Sequence, residues 1–327
     1  MTITAVAKKA GVSVSTVSRV MNGNYKVDPG IADRVRAAAA ELNYTANPLA
    51  RSLVLGRTQI ISILVPDLAN PTFQSVLRGL SRAAAKDKYH VLVADSVETV
   101  SLEGALAVET RRSCDAIVLC APRMPDDQLK SLLPELEPAV LINRDSPLAS
   151  VPTLAADYEA GIQPLARHLY ELGHRRIAYL EGNTKSVSNT NRLKGLERFA
   201  REHPDVELLT FTCGVAFEHG HAAADDVITS GVTGVLAYND LVAMGLLSAL
   251  QERGVRVPEH VSVAGFDDIA LARYTTPPLT TASVPIAELG GEAWKRLHAL
   301  LRKETPDYDL TFRPRIEVRG STGKAPS

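Results

Sequence analysis

The sequence predicts an all-α helix-turn-helix head joined to an α/β body. Three observations predict it. Residues 1–45 hold three short amphipathic stretches separated by turn signals. From Gln59 onward, apolar runs of strand length alternate with amphipathic helical stretches. The charge is also divided between the two parts. Residues 1–57 carry eight basic side chains against Asp28, Asp33 and Glu41, a net of +5, whereas the whole chain is −1 and the remainder therefore −6. A basic head on an acidic body suits a polyanion-binding module attached to something else, although a solvated charged face gives the same count.

In the head, Thr4 is placed to cap a first helix over residues 5–10, and Gly11 supplies a tight turn. Ser13 caps a second helix from Val14 to about Met21, which Asn22-Gly23 ends. Val6, Ala10, Val12, Val17 and Val20 have the spacing of two short helices packed across that turn. Asp28-Pro29 opens a third helix with Ile31, Val35, Ala38, Ala39 and Leu42 inward. So small a core serves a head but not an enzyme. The second helix offers Val14, Ser15 and Thr16 in its first turn and Arg19 in the next. In a helix-turn-helix module this end enters the major groove, where arginine bonds a guanine edge bidentately and small apolar groups meet thymine methyls. Ser13, Thr16 and Ser18 suit caps or phosphate donors, which position the helix without reading sequence. Taken alone, Arg19 fits a surface ion pair better.

Residues 46–57 form a hinge. Asn47 caps and Pro48 opens a two-turn helix, PLARSLVL, that Gly56 stops. It is too short to hold together alone, and it exposes Leu49, Leu53, Val54 and Leu55. It is either an apolar tether or a segment that folds when two copies meet on DNA.

The body's strand-like runs are IISILV, HVLVAD, AIVLCA, AVLINR, RIAYLEG, LLTFTC, GVLAYN and VSVAGF, with helical stretches such as 73–87, 160–172, 193–201 and 241–253 between them. This alternation implies parallel sheets covered on both faces, in two units breaking near residues 155–157. Ligands of such sheets bind beyond the carboxyl ends of the strands. Asn70 and Phe73 follow the first run, Asn143-Arg144 end the fourth, and a polar loop with Ser186, Ser188 and Arg192 follows the fifth. Asn239-Asp240 and Asp267-Asp268 end the last two. Together these groups suit a hydroxyl-rich ligand with Phe73 against its apolar face. Each has a plainer role open to it: Asn70 and Asp240 as helix caps, Arg192 as an acid's partner, Asp267 and Asp268 as exposed loop carboxylates.

Other chemistry lacks its signatures. No stretch nears the ~20 apolar residues of a bilayer span, and no basic-then-apolar leader opens the chain, so a cytoplasmic protein is expected. Cys114, Cys120 and Cys213 are odd in number and without ligand spacing, which fits buried thiols better than a metal site or disulfide. GSTGK in the tail lacks the phosphate-loop spacing, His219 and His221 sit in a polar EHGH stretch, and the acid pairs have no positioned base. No enzyme, metal or cofactor is expected.

The stretch ITAVAKKAGVSVSTVSRVMNG, continuing to ELNYTANPLARSL, resembles the head of the lactose/galactose repressor (LacI/GalR) family without a gap, and R-L-x-G at Arg192–Gly195 and G-F-D-D at Gly265–Asp268 carry the resemblance into the body. It implies two Rossmann-like subdomains of periplasmic-binding-protein type, about 58–156 with 285–314 and about 157–284 with 315–322, and a tail at 323–327. It implies a sequence-specific transcriptional regulator, most simply a repressor, that binds double-stranded operator DNA as a homodimer on a pseudo-palindrome. A small-molecule effector, a sugar or related polar metabolite, then rotates the subdomains and changes the spacing of the hinge helices. By position, Val14, Ser15 and Arg19 read bases and Leu53 wedges into a minor-groove step. The expected DNA contacts are Thr4, Ser13, Val14, Ser15, Thr16, Ser18, Arg19, Asn22, Lys26 and Leu53. Phe73, Arg192, Asn239 and Asp267 fall on effector-contact positions, and Asn70, Asn143 and Ser188 complete the expected effector set. Val284 and Val215 stand where some relatives carry a polar or an aromatic contact, so the effector is not copied from any of them. The tail has no apolar heptads, which favours a dimer over a coiled-coil tetramer. Two alternatives stay open: the same head with a body that senses a protein or nothing, and a cytoplasmic sugar receptor, against which the basic head speaks.

Overall fold

The computed structural model describes residues 2–21, 27–45, 56–148, 150–307 and 309–326. The chain divides into a head, Met1–Gln59, and a body, Ile60–Ser327. In the head, α1 (Ile3–Ala10), α2 (Val14–Met21) and α3 (Pro29–Glu41) close on Val6, Val17 and Val35, which have no exposed surface, with alanines filling between them. Thr2, not Thr4, caps α1 by accepting from the Ala5 N–H, and Thr4 is an exposed first-turn residue. The reason is periodicity. Packing Ile3 with Val6, Ala7 and Ala10 on one face requires the helix to begin at Ile3. Gly11, at φ 66°, then ends α1 in the left-handed region that a side chain disfavours. Asp28 caps α3 through the Ile31 N–H at 3.1 Å.

The body carries two six-stranded sheets. The chain runs through β1 (Ile60–Val65), α4 (Pro71–Lys86), β2 (His90–Asp95), α5 (Val100–Arg112), β3 (Ala116–Cys120), α6 (Asp126–Leu136), β4 (Ala139–Ile142) and β5 (Thr153–Ala156). It continues through α7 (Tyr158–Glu171), β6 (Arg176–Glu181), α8 (Val187–Glu202), β7 (Glu207–Thr212), α9 (Phe217–Ala222), α10 (Ala224–Thr229), β8 (Gly234–Ala237), α11 (Asp240–Glu252) and β9 (Ser262–Asp267). A 3-10 turn, β10 (Thr280–Ser283), α12 (Ile286–Leu301), β11 (Asp309–Phe312) and β12 (Arg315–Glu317) complete it. The first sheet has order β11-β5-β4-β3-β1-β2 and the second β12-β10-β9-β8-β6-β7. Every pairing is parallel except β12 with β10. The chain therefore passes between the sheets three times, after β5, after β10 and between β11 and β12. In each sheet the order reverses beside the first strand, β1 or β6, so both crevices that favour ligands open at carboxyl ends.

The structure corrects the sequence reading in some places and adds to it in others. The polar stretch after β6 is not a loop: Ser186 caps α8, accepting from Asn189 N–H, and Ser188 and Arg192 lie on its first turns. Their side chains are buried, so the helix's inner face is polar there and shows no apolar period. Helices α5, α6, α9, α10 and α12 and strands β5, β10, β11 and β12 join the elements expected. Residues 323–326 are not a loose tail, because Gly323 N–H donates to Ser262 Oγ and Ala325 N–H to the Leu172 carbonyl. His219 and His221 lie on α9, His219 exposed and His221 half-exposed as a polar stretch implies, with His219 Nδ1 accepting from the N–H groups of Val215 and Ala216. Of the two roles weighed for Asp267 and Asp268, that of exposed loop carboxylates falls away: Asp267 is buried, and the Asp268 side chain is 7% exposed in its pair with Arg319. No helix among the described residues is long and apolar enough to cross a membrane.

Candidate functional site

On the head, α2 turns Val14, Ser15 and Arg19 to solvent, with Thr16 and Ser18 half-buried. Val14 is 41% exposed and is the large apolar side chain that the head's described residues leave open to water. Ser13 Oγ caps α2 from 3.2 Å and lies 2.8 Å from Ser15 Oγ and 2.9 Å from Thr16 Oγ1. The ion pairs among the head's described residues, Lys9–Glu41 and Arg36–Asp33, leave Arg19 out. Asn22, Lys26 and Leu53, with residues 46–55 of the hinge, lie outside the described residues.

In the body, the loops at the strands' carboxyl ends converge on one cavity of about 30 Å³ between the sheets. Asn70, Phe73, Asn143, Ser188, Arg192 and Asp267 all line it. Asn70 caps α4 through Thr72 N–H at 2.9 Å and still faces the cavity, so it holds both roles weighed for it. Asn143 sits at φ 54° after β4 and ties β5 down by accepting from Ala156 N–H. Asn239 is not among the lining residues. Its Oδ1 caps α11 at Val242 and its Nδ2 donates to the Val215 carbonyl, so both polar ends are used within the protein and it acts by holding Val215 in the wall. Asp240, one residue on, is not the cap: fully buried, it accepts from Thr281 Oγ1 and Ile269 N–H, and burial followed by the nearby Asp267 raises its pKa well above the usual carboxylate range. Arg144 is likewise structural, donating to the carbonyls of Pro122 and Met124.

The centre of the cavity is Arg192. Its guanidinium carbon lies 4.1 Å from the Phe266 ring, 4.3 Å from Tyr158 and 4.6 Å from Tyr238. The nearest carboxylate, Asp267, is 3.8 Å away, too far for a good hydrogen bond. Nε and Nη1 are buried with no hydrogen-bond partner among the described residues. Leaving such donors unmet costs about 1–3 kcal/mol or more for a charged group, and that cost is recovered when a ligand oxygen meets them. Asp267 stands opposite, at φ 109° where a side chain is strained, and accepts from Thr72 Oγ1 at 2.9 Å across the cleft. Burial pushes its carboxyl up to about 6 against the opposing pull of Arg192 and Thr72.

Thr72, Glu98, Ala121, Arg123, Tyr158 and Tyr238 also line the cavity and were not foreseen, while Val215 was noted only as a departure. Arg123, Glu98 and Tyr238 were findable, since Arg123 and Glu98 lie three residues past β3 and β2 and Tyr238 one past β8. Tyr158 had no sequence signal beyond that of a core aromatic, because the short β5 before it carries too little pattern to be read as a strand.

Comparison with known proteins agrees with this arrangement. Residues 2–47 match the family model for bacterial regulatory proteins of the lacI family, and residues 166–322 match that for a periplasmic binding protein-like domain. The transcriptional regulator GalR of Salmonella typhimurium is 33% identical across 98% of this chain and 95% of its own. The lac repressor dimer, solved with operator and the anti-inducer ONPF, superposes with a TM-score of 0.87 at 25% identity over 99% of both chains. The regulator CelR, solved with cellobiose, gives a TM-score of 0.70 at 27% identity over 98% of this chain and 99% of that one.

Proposed function

The chain belongs to the lacI family of bacterial regulatory proteins, and from that premise we propose that it is a transcriptional repressor released or engaged by a sugar-like effector. A homodimer presents α2 of each copy to one half of a pseudo-palindromic operator, with Val14, Ser15 and Arg19 on base edges and the hydroxyls of Ser13, Thr16 and Ser18 toward phosphates. Thr4, Asn22, Lys26 and Leu53 complete the contact set. The effector, a sugar or related polar metabolite, lies between the two sheets with Asn70, Phe73, Asn143, Ser188, Arg192 and Asp267 around it. Acting on a chromosome places the protein in the cytoplasm.

One observation carries the effector half: a fully buried guanidinium, walled by three aromatic rings, keeps two donors unbonded beside a carboxylate. Adjacent ring hydroxyls, which both donate and accept, satisfy that pair at once. The relatives solved with operator and with cellobiose support the same division of labour.

The experiment is selection of duplexes by the full-length protein from a random pool, then binding of the selected palindrome with and without a panel of neutral sugars and nucleosides. The expected result is tight binding of the palindrome and a change in that affinity with one sugar. Binding no tighter than to scrambled duplex, under every condition, removes the proposal.

A further inference from the structure

Two guanidiniums share the cavity, and their bonding is opposite. Arg192 has unmet donors. Arg123, 4% exposed, is bonded at every nitrogen and uses four of its five N–H groups: Nε and Nη2 donate to the Glu98 carboxylate at 3.3 and 3.2 Å, and Nη1 to the Ala121 carbonyl at 3.2 Å and to Ser186 Oγ at 3.1 Å. Arg123 and Glu98 follow strands of the first sheet, while Ser186 caps a helix of the second. Glu98 itself accepts from Asn183 Nδ2, also across the cleft, at 2.9 Å. The pair is therefore bonded to the opposite half at both of its ends.

We propose that Arg123, held by Glu98, is a selectivity residue: it permanently occupies one end of the effector cleft, limits the ligand to a single ring, and latches the two halves together. The ligand-limiting part rests on the effector role given above to the cleft; the latch does not. The physical case is that Arg123 has little to gain from a ligand. All its nitrogens are already bonded within the protein, so a sugar reaching toward it displaces charge-assisted bonds and receives equivalent ones at best. Arg192, by contrast, gains two bonds. Ligands accordingly gather at the Arg192 end, and the Arg123 end stays filled by protein. The same bonds to Ser186 and Asn183 must break before the halves separate.

The test uses the full-length protein as wild type, Arg123→Ala and Glu98→Gln, the last keeping the side chain's shape while removing its charge. Amide hydrogen exchange without ligand reads the latch. Removing charge-assisted bonds worth about 1.5–3 kcal/mol predicts roughly tenfold or faster exchange in segments 96–104 and 181–193, with β1 and β3 unchanged. Unchanged exchange there in a folded variant overturns the latch, and should Arg123→Ala fail to fold, Glu98→Gln decides alone. Calorimetry with D-galactose, D-ribose, cellobiose and lactose reads selectivity. The wild type is expected to take a single-ring sugar only, and Arg123→Ala to gain a two-ring sugar or lose preference against it about tenfold. A wild type that binds cellobiose or lactose as tightly as a single-ring sugar, or a variant with unchanged preference, overturns the size limit. Failure of all four sugars with every variant counts against the sugar-effector reading instead, and leaves the exchange result to decide the latch.

Discussion

Arg192 and Asp267 show how few atoms set the properties of the cleft. Lysine at 192 keeps the charge but loses the planar fork that meets two oxygens at once. Arg192→Lys is therefore expected to weaken effector binding roughly tenfold or more, at about 1.5–3 kcal/mol for bonds to a charged group, while operator binding without effector persists. Calorimetry and fluorescence anisotropy separate the two, and an unchanged sugar affinity takes Arg192 out of the site. The carboxyl of Asp267 gives a pH signature. Its folded pKa, about 6, lies above the unfolded value near 3.9. Between those values the folded chain binds the extra proton, so this group's contribution to stability is fully present below pH ~4, falls as pH rises to about 6, and is flat beyond. Sugar binding runs the other way. Ring hydroxyls donate to the charged form, so affinity rises through pH 6, and Asp267→Asn should flatten the profile. On the head, Arg19→Ala should lower discrimination between matched and mismatched operator by about 1–3 kcal/mol. Equal loss on both duplexes assigns Arg19 to phosphate.

At the scale of elements, the strands with continuous apolar runs were legible because both faces of a parallel sheet are covered and every residue must be apolar. Strands β5, β10, β11 and β12 were not, since three or four residues such as TTAS or RIE carry too little pattern. The start of α8 was hidden for a different reason: its first turns bury Ser188 and Arg192 at the cavity and Asn189 against Tyr179 and Glu181, so the apolar period that announces a helix is missing there. The same logic explains which site residues were seen. Asn70, Phe73, Asn143, Ser188, Arg192 and Asp267 end or follow strands that the pattern shows, and the strand-end rule finds them; it reaches Glu98 and Arg123 as well, three residues past β2 and β3, whereas Tyr158 follows β5, a strand too short to be read. Gly195 supplies the element-scale prediction. A methyl group there would sit 2.4 Å from the Glu159 carbonyl of α7 and 2.6 Å from Ile162. Gly195→Ala must push α8 outward by its inner face, one turn from Arg192. Overpacking of this kind costs typically about 1–3 kcal/mol. A lower melting temperature with a weakened sugar response is expected, and an unchanged melting temperature contradicts the close contact.

For the whole molecule, the decisive quantity is the space between the sheets. Ligand pockets span roughly 300–1,000 Å³, whereas this cavity holds about 30 Å³. A sugar therefore enters only if the halves shift about the three chain crossings, at the cost of the Thr72–Asp267 bond and of a transient break in the Arg123–Ser186 bond. The first half starts at Ile60, directly after the head in sequence. Any ligand that favours one arrangement of the halves biases what the head's connection experiences, and thermodynamics then requires the influence to run both ways. If saturating sugar changes operator affinity by some factor, saturating operator must change sugar affinity by the same factor, typically about 5–150-fold. Anisotropy titrations of labelled operator at saturating sugar, beside calorimetry of sugar into the protein–operator complex, measure both sides. A sugar that shifts operator binding while its own affinity is indifferent to operator cannot be acting through an equilibrium of this cleft, and its site would have to be sought elsewhere.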